Sequence, residues 1–371
     1  MSSFQIKTVG DLCNLRCRYC RNRDFDQNTN TTMSINTLEK LFAFLNSVPH
    51  SRVRTNWHGG EPLLAGKKFF NHVLKLESQY PQKKWINAVQ TNATLVDDKW
   101  AQLFHDNHFQ IGVSIDGSEH THNINRIDIA GCGTYEKAMR GVETLRRHNI
   151  YPSVICTVTK KTVEYAKEML LGLVNAGFKG IAFNAFYNTA SNCDSDTCEG
   201  LTNQEWLMFL IEIFETWLSL NDPTFHVREI DGTLAWIKSK SANSCVFKGA
   251  CYQWFVIDYT GDIYPCERLG RTTHFGNIDS LNTIQNLLDN PIFLNWKESI
   301  EQLPKKCQGC ELQRLCYNGC VSHRKTDVEG VPTYIYCESR LDFYNYIKNR
   351  LANKKEGSHV TQRSFFIRDL Q

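Results

Sequence analysis

From residue 4 to about residue 220 the chain alternates short β-branched or aromatic runs with longer segments whose apolar positions recur at helical spacing. The runs at 4–9, 53–57, 85–90, 109–115, 153–158 and 180–186 read as strands, and the segments at 35–45, 67–77, 97–105, 135–148 and 163–176 read as amphipathic helices. Six such units predict an α/β fold in which parallel strands are joined by crossover helices, as an open sheet or partial barrel. A further helix over 206–220 gathers Trp206, Phe209, Leu210, Ile213, Phe214 and Trp217 on one face. Beyond it the pattern changes to short strands punctuated by Gly, Pro and Cys. Residues 256–264 predict a hairpin turning at Tyr259-Thr260-Gly261-Asp262, and 307–320 leave little room for regular structure.

In a parallel barrel the C-terminal strand ends share one rim, where active-site groups collect. The cysteine-bearing segment 13–20, His58-Gly59-Gly60-Glu61, Gln90-Thr91-Asn92 and Ser114-Ile115-Asp116-Gly117 each follow one of the first four strands. All four are therefore expected to face one mouth.

The 371 residues allow one large domain or two. The expected division is a barrel at 1–225, a bridging segment at 226–244, a cysteine-rich domain at 245–345 and a tail at 346–371 that ends in Phe365-Phe366-Ile367. Net charge is +3 with acids and bases interspersed, which excludes a nucleic-acid footprint. The longest apolar stretch, 206–220, is interrupted by Glu212 and Glu215, so no membrane span is expected. Lys67-Lys68 and Arg146-Arg147 read as solvated helix faces. Fifteen cysteines would suit a secreted disulfide scaffold, but the count is odd and the N-terminus lacks the apolar run of a signal peptide. A reducing, cytoplasmic setting is expected instead.

Eleven of those cysteines fall into two spaced sets. Cys13, Cys17 and Cys20 supply three thiolates within eight residues, which suits a [4Fe-4S] cluster with one iron open to a substrate. Cys245, Cys251, Cys266, Cys307, Cys310, Cys316, Cys320 and Cys337 are enough for two further clusters with four ligands each. Zinc is the competing reading for both sets, since three cysteines with a distant His, or four cysteines, also suit zinc. Of the remaining four, Cys156 sits in a strand and reads as a small buried hydrophobe. Cys193 and Cys198 lie in a polar loop, and Cys132 lies in a loop near the expected mouth.

The Cys-x3-Cys-x2-Cys spacing, with Tyr19 before the last cysteine and Gly59-Gly60-Glu61 after the second strand, resembles the radical S-adenosylmethionine (SAM) superfamily. The resemblance implies a partial (β/α)6 TIM-like barrel in which the open iron chelates SAM and the Gly-Gly-Glu backbone holds its amino group. Reductive cleavage would then give a 5'-deoxyadenosyl radical that abstracts an unactivated hydrogen. It further implies that Gln90, Asn92, Ser114, Asp116 and Arg126 line the cofactor's ribose and carboxylate. Without the resemblance, Ser114 and Asp116 read equally as the shapers of an Asp-Gly turn, and Arg126 as a surface ion pair.

Cys251-x9-Gly261-x4-Cys266, then Cys307-x2-Cys310-x5-Cys316-x3-Cys320, then Cys337, is similar to the seven-cysteine SPASM pattern. That similarity implies interleaved ligation, with Cys245, Cys251, Cys266 and Cys320 on one auxiliary [4Fe-4S] cluster and Cys307, Cys310, Cys316 and Cys337 on the other. Together with the barrel cluster this makes three [4Fe-4S] clusters, with SAM as cosubstrate and a reducing partner such as a flavodoxin or ferredoxin.

Across nearly the whole chain, through Gly59-Gly-Glu-Pro, Gln90-Thr-Asn-Ala-Thr-Leu, His122-Asn-Ile-Asn-Arg and Tyr264-Pro-Cys266, the sequence resembles anaerobic sulfatase-maturating enzymes. Those enzymes oxidise a peptidyl Cys or Ser to formylglycine, with an Asp after the Tyr-Pro-Cys cysteine as base. Here that position is Glu267, one methylene longer, and His58 stands where those relatives tend to have Gln. The departure at Glu267 favours a maturase of ribosomally made peptides (RiPP type) that removes a side-chain Cβ hydrogen and forms a carbon-carbon crosslink of the cyclophane kind. Glu267 would take the proton. The substrate is then a precursor peptide, with a sulfatase as the alternative. Only twelve residues precede Cys13, so a fused leader-binding domain is not expected there. A non-enzymatic electron carrier is the third reading, and the open-iron trio speaks against it.

Overall fold

The computed structural model describes residues 2–20, 31–187, 199–238, 240–242, 244–249, 251–271, 273–326 and 330–353. Cys193, Cys198 and the Phe365-Phe366-Ile367 tail lie outside the described residues. Among the described residues, one sheet runs through β1 (Ser2–Lys7), β2 (Arg52–His58), β3 (Lys84–Thr91), β4 (Gln110–Ser114), β5 (Ser153–Val158), β6 (Gly180–Ala185) and β7 (His226–Val227). Neighbours in that run pair in parallel. The six strands and five helices expected from the pattern are all present, with ends shifted by a residue or two. The last of those helices begins with a single 3-10 turn at Val163–Tyr165 before Ala166–Asn175.

On the other side of β1, the sheet continues through β8 (Trp254–Ile257), β9 (Asp262–Tyr264) and β10 (Gly276–Asn277). β8 and β9 form the expected hairpin, with Gly261 at φ +91° in its turn. β8 also pairs in parallel with β1, Ser3 to Ile6 against Trp254 to Ile257. A strand of the cysteine-rich half thus flanks the first strand of the barrel.

Strand alternation assigns the faces. Phe4 and Ile6 are fully buried, and Phe4 packs on Phe44 of the helix Ile35–Asn46 and on Phe255 of β8. Gln5 and Lys7 therefore point to the opposite, concave side. Cys156, as expected, is fully buried in the core. The long helix Asn203–Leu220 starts with a capping box between Thr202 and Glu205, a reciprocal pairing that satisfies two orphan amides. Its apolar face receives the helix Cys337–Asn353, through Phe214 against Phe343 and a Glu215–Arg350 ion pair at 3.0 Å. No described helix is long and apolar enough to cross a membrane. The 307–320 stretch holds two single turns, Lys305–Cys307 and Gln313–Cys316.

One polar group is buried on the helix side of the sheet. Asn87 accepts hydrogen bonds from Thr55 and from the Trp57 indole, and donates to Glu77 at 2.8 Å. Burial pushes the Glu77 carboxyl up from its ordinary 4.5 to about 7, against the pull of that hydrogen bond. A raised carboxyl favours the folded state fully below pH 4.5, and this contribution disappears as the pH climbs through 7. We expect Glu77→Gln to flatten the stability-pH curve across that window by about 1–3 kcal/mol, read by urea unfolding at several pH values. An unchanged slope would show that Glu77 titrates alike in both states.

Candidate functional site

The loop after β1 and the loop after β2 are latched together. Gly60 N–H donates to Gly10 O at 2.9 Å, and Glu61 N–H donates to Leu12 O at 2.8 Å. The approach is so close that a Cβ on Gly60 would lie 1.8 Å from the Leu12 carbonyl oxygen, so only glycine fits. Glu61, buried to 1 % exposure, turns its carboxylate inward, where it accepts from Leu63 N–H, Thr91 hydroxyl and Asn92 N–H. Its side chain pins the ends of β2 and β3 together.

Cys13, Cys17 and Cys20 follow in the latched loop. Asn92 reaches Cys13 Sγ at 3.9 Å and Asn14 Oδ1 at 2.9 Å. The loop is also stitched to the 125–128 segment by Arg16 N–H to Ile127 O and Arg18 N–H to Asn125 O. Burial, with help from the Glu61 charge, pushes the Cys13 thiol up to about 12. Burial does the same at Cys17 against the opposing pull of Arg126. Thiols so placed stay protonated until a metal displaces the proton, which couples cluster binding to proton release.

The polar residues expected around SAM form a tight network. Asp116 is fully buried; its Oδ2 accepts from Tyr19 hydroxyl at 2.7 Å and lies 3.0 Å from Arg126 Nε, while Oδ1 accepts the Thr157 amide. Arg126 is thus a buried partner, not a surface one, and it also lies over the Tyr19 ring. Gln90 donates to Ser114 Oγ at 2.9 Å. It fits because its register partner on β4 is Gly112, where a Cβ would fall 2.3 Å from Gln90 Oε1.

Glu267 sits against the concave face of β1 and β2. Lys7 and His58 are register partners on one face, so their side chains are neighbours. His58 Nδ1 lies 3.0 Å from Glu267 Oε2, Lys7 Nζ lies 3.9 Å from Oε1, and Gln5 donates to Oε2. Lys7 also contacts Asp11. Burial opposes the Glu267 charge, but His58 and Lys7 outweigh it and hold the carboxyl well below the ordinary range. His58 Nδ1 also lies 2.8 Å from Gly59 N–H. One nitrogen cannot serve both neighbours: unprotonated it accepts from Gly59, protonated it donates to Glu267. Gln5, Lys7 and Asp11 were not singled out from the sequence. A Lys on the polar side of an alternating strand, just before the cysteine loop, was the available signal.

The remaining thiols separate into two electrostatic groups. Cys251 feels Cys320, Cys266 and Cys245, and Cys266 feels Cys320 and Cys245. Cys307 feels Cys337, Cys316 and Cys310, and Cys337 feels Cys316 and Cys310. The two groups have the same members as the two sets that the SPASM resemblance implies. Among the described residues, no three His, Cys, Asp or Glu side chains converge at the spacing for one metal ion. The thiols group at the wider range over which their charges act on one another. Cys132 is exposed, and its carbonyl accepts from Asp128 N–H at 2.9 Å.

Two family models match this chain: the radical SAM superfamily over residues 8–172, and the SPASM iron-sulfur cluster-binding domain over residues 245–311. The chain is a radical SAM enzyme with a SPASM domain. Its cofactors are [4Fe-4S] clusters and SAM. This radical SAM enzyme is 29 % identical over 362 residues to the cysteine-type anaerobic sulfatase-maturating enzyme of Clostridium perfringens, covering 95 % of this chain and 97 % of that one. It is 28 % identical to the serine-type enzyme of Klebsiella pneumoniae, covering 86 % of this chain and 81 % of the relative. The solved structure of native anSMEcpe with bound AdoMet superposes with a TM-score of 0.86 at 27 % identity, over 96 % of this chain and 100 % of the other.

These matches overturn the expectation of carbon-carbon crosslinking. Streptococcus suis SuiB bound to precursor peptide SuiA shares the fold, with a TM-score of 0.64, but at 14 % identity and over 75 % of its chain. The extra methylene at Glu267, on which that expectation leaned, carries less weight than a match running the length of both chains.

Gly60→Ala should break the latch while leaving all the SPASM thiols in the chain. We expect 5'-deoxyadenosine release by reconstituted protein to fall about 100-fold, the scale of an ångström of misplacement, with auxiliary iron retained. Release at the wild-type rate would show that the latch does not shape the cofactor site.

Proposed function

We propose that this radical SAM enzyme is an anaerobic sulfatase-maturating enzyme, which oxidises a peptidyl Cys or Ser of a sulfatase to formylglycine. The observation that carries this reading is the end-to-end likeness to such enzymes in sequence and in fold. A structure of anSMEcpe with bound AdoMet and Cp18Cys peptide, equally similar at TM-score 0.86, supports a peptide as the class of substrate.

When bound, SAM and the clusters supply a hydrogen-abstracting 5'-deoxyadenosyl radical and accept the electron left on the substrate. Cys13, Cys17 and Cys20 would hold the barrel cluster, and the two electrostatic groups of four thiols would hold the others. The Gly59-Gly60-Glu61 backbone, with Gln90, Asn92, Ser114, Asp116, Tyr19 and Arg126, would frame the cofactor. Polar groups buried and already paired, such as Asp116 accepting from Tyr19, keep that frame stiff before anything binds.

Glu267 is the residue we assign as base. After loss of the Cβ hydrogen, a peptidyl Cys must also lose its thiol proton and one electron to become a thioaldehyde, which water then converts to the aldehyde with release of hydrogen sulfide. The carboxylate takes that proton at Oε1 or Oε2, and Lys7, Gln5 and His58 keep it ionised and aimed. A flavodoxin or ferredoxin is the class of reductant this cycle needs.

The test uses anaerobically reconstituted protein with sulfatase-derived peptides carrying Cys or Ser at the modified position. Mass spectrometry should show sulfur exchanged for oxygen in the Cys peptide, or loss of two hydrogens in the Ser peptide. Nucleoside release without either product would remove the sulfatase reading. Glu267→Gln should keep nucleoside release while lowering product formation by 100-fold or more, within the usual range for a lost general base, about 10²–10⁴. Equal product from the variant would show that another group takes the proton.

A further inference from the structure

The loop Cys316-Tyr317-Asn318-Gly319-Cys320 carries one thiol from each auxiliary set, so the two clusters it would serve are separated by three residues. Those three all have positive φ, at 46°, 61° and 58°. For non-glycine residues such a run needs outside support. Arg324 provides it, donating to the carbonyls of Tyr317, Asn318 and Gly319 at 2.9, 3.0 and 3.3 Å. Asn318 adds its amide bond to Pro332 O and accepts from Tyr334 N–H.

A second guanidinium lies against the same loop. Arg340, in the first turn of the helix Cys337–Asn353, donates from Nη1 to Cys316 Sγ at 3.4 Å and from Nη2 to Val246 O and Tyr334 hydroxyl. Tyr334, Phe247 and Trp236 pack their rings around it. The charges of both Cys316 and Cys320 act on it. Among the described residues, neither Arg324 nor Arg340 has a carboxylate ion-pair partner. A cation enclosed by aromatic rings is costly unless an anion answers it, and the anions within reach are the two thiolate sets.

We infer that Arg340 is a redox-positioning residue of the auxiliary clusters, which raises the potential of the cluster of Cys307, Cys310, Cys316 and Cys337. Reduction adds negative charge, and both a nearby cation and an N–H···S bond stabilise the added charge. Arg340 bonds directly to the Cys316 sulfur, whereas the Cys320 sulfur has Ser322 hydroxyl as its neighbour at 3.1 Å. Arg340's own effect therefore falls mainly on the Cys316 side, while Arg268 acts on Cys245 and Cys266 of the other set. The inference rests on the two ligand sets and not on which peptide is oxidised.

EPR-monitored potentiometric titration of reconstituted full-length protein, with iron and sulfide counted, tests it. Arg340→Met, of similar length and uncharged, should move one auxiliary midpoint clearly negative and the other less. Arg340→Lys keeps the charge without the fork and should give a smaller shift in the same direction. Wild-type midpoints in iron-replete Arg340→Met protein would overturn the inference. If that variant loads less iron, Arg340→Lys decides alone, a negative shift supporting the inference and unchanged midpoints sinking it. Cys316→Ala tests the foundation separately: loss of one cluster's iron and signal supports the ligand set, and full iron with an unchanged spectrum would remove it.

Discussion

Two backbones meet at Gly60 and Leu12 more closely than any side chain would permit. That approach ties the cysteine loop of β1 to the end of β2, and Glu61 extends the tie to β3 through Thr91 and Asn92. Three strand ends are thereby fixed to one another before any cofactor is considered. The polar frame of Gln90, Ser114 and Asp116 continues around the same rim, because parallel strands deliver their C-terminal ends to one side.

Charge is distributed around this frame with some economy. Each carboxylate enclosed there is met by a cation or by hydrogen-bond donors: Asp116 by Arg126 and Tyr19, Glu267 by Lys7 and His58, and Glu61 by Leu63, Thr91 and Asn92, while Lys7 has Asp11 as well. Arg324 and Arg340 have no carboxylate partner among the described residues and lie beside cysteines of the two auxiliary sets instead. Clusters bound by those cysteines would supply the anion that answers them.

The strands and helices of the barrel were legible because each carries a clean period, two for β5 with its alternating burial and 3.6 for the helix of Phe209 and Ile213. The cysteine sets were legible because ligand spacing is written along the chain. The helix Glu119–Asn125, which contains His122 and Asn125, was not foreseen, since its buried side chains Thr121, His122 and Asn125 are polar and leave no apolar stripe. The Lys7–Glu267 and Arg340–Cys316 contacts were hidden for another reason. They join residues 260 and 24 positions apart, and no local pattern encodes which distant element a charge will meet. Reading Glu267 by its length alone misled the choice of reaction. What the length means depends on His58 and Gln5, which brace the carboxylate from β2 and β1.

The parallel pairing of β8 with β1 sets a sequence of events during synthesis. Ser3 meets Trp254, so about 250 residues must leave the ribosome before the far edge of β1 finds its partner. At the bacterial-type rate of about 5–20 residues per second, that edge waits on the order of ten seconds or more. An unpaired strand edge invites foreign strands for as long as it is open. The first strand of the sheet is therefore among the last to be fully enclosed, and the nascent barrel stands half-sealed until its own cluster-binding half arrives to close it.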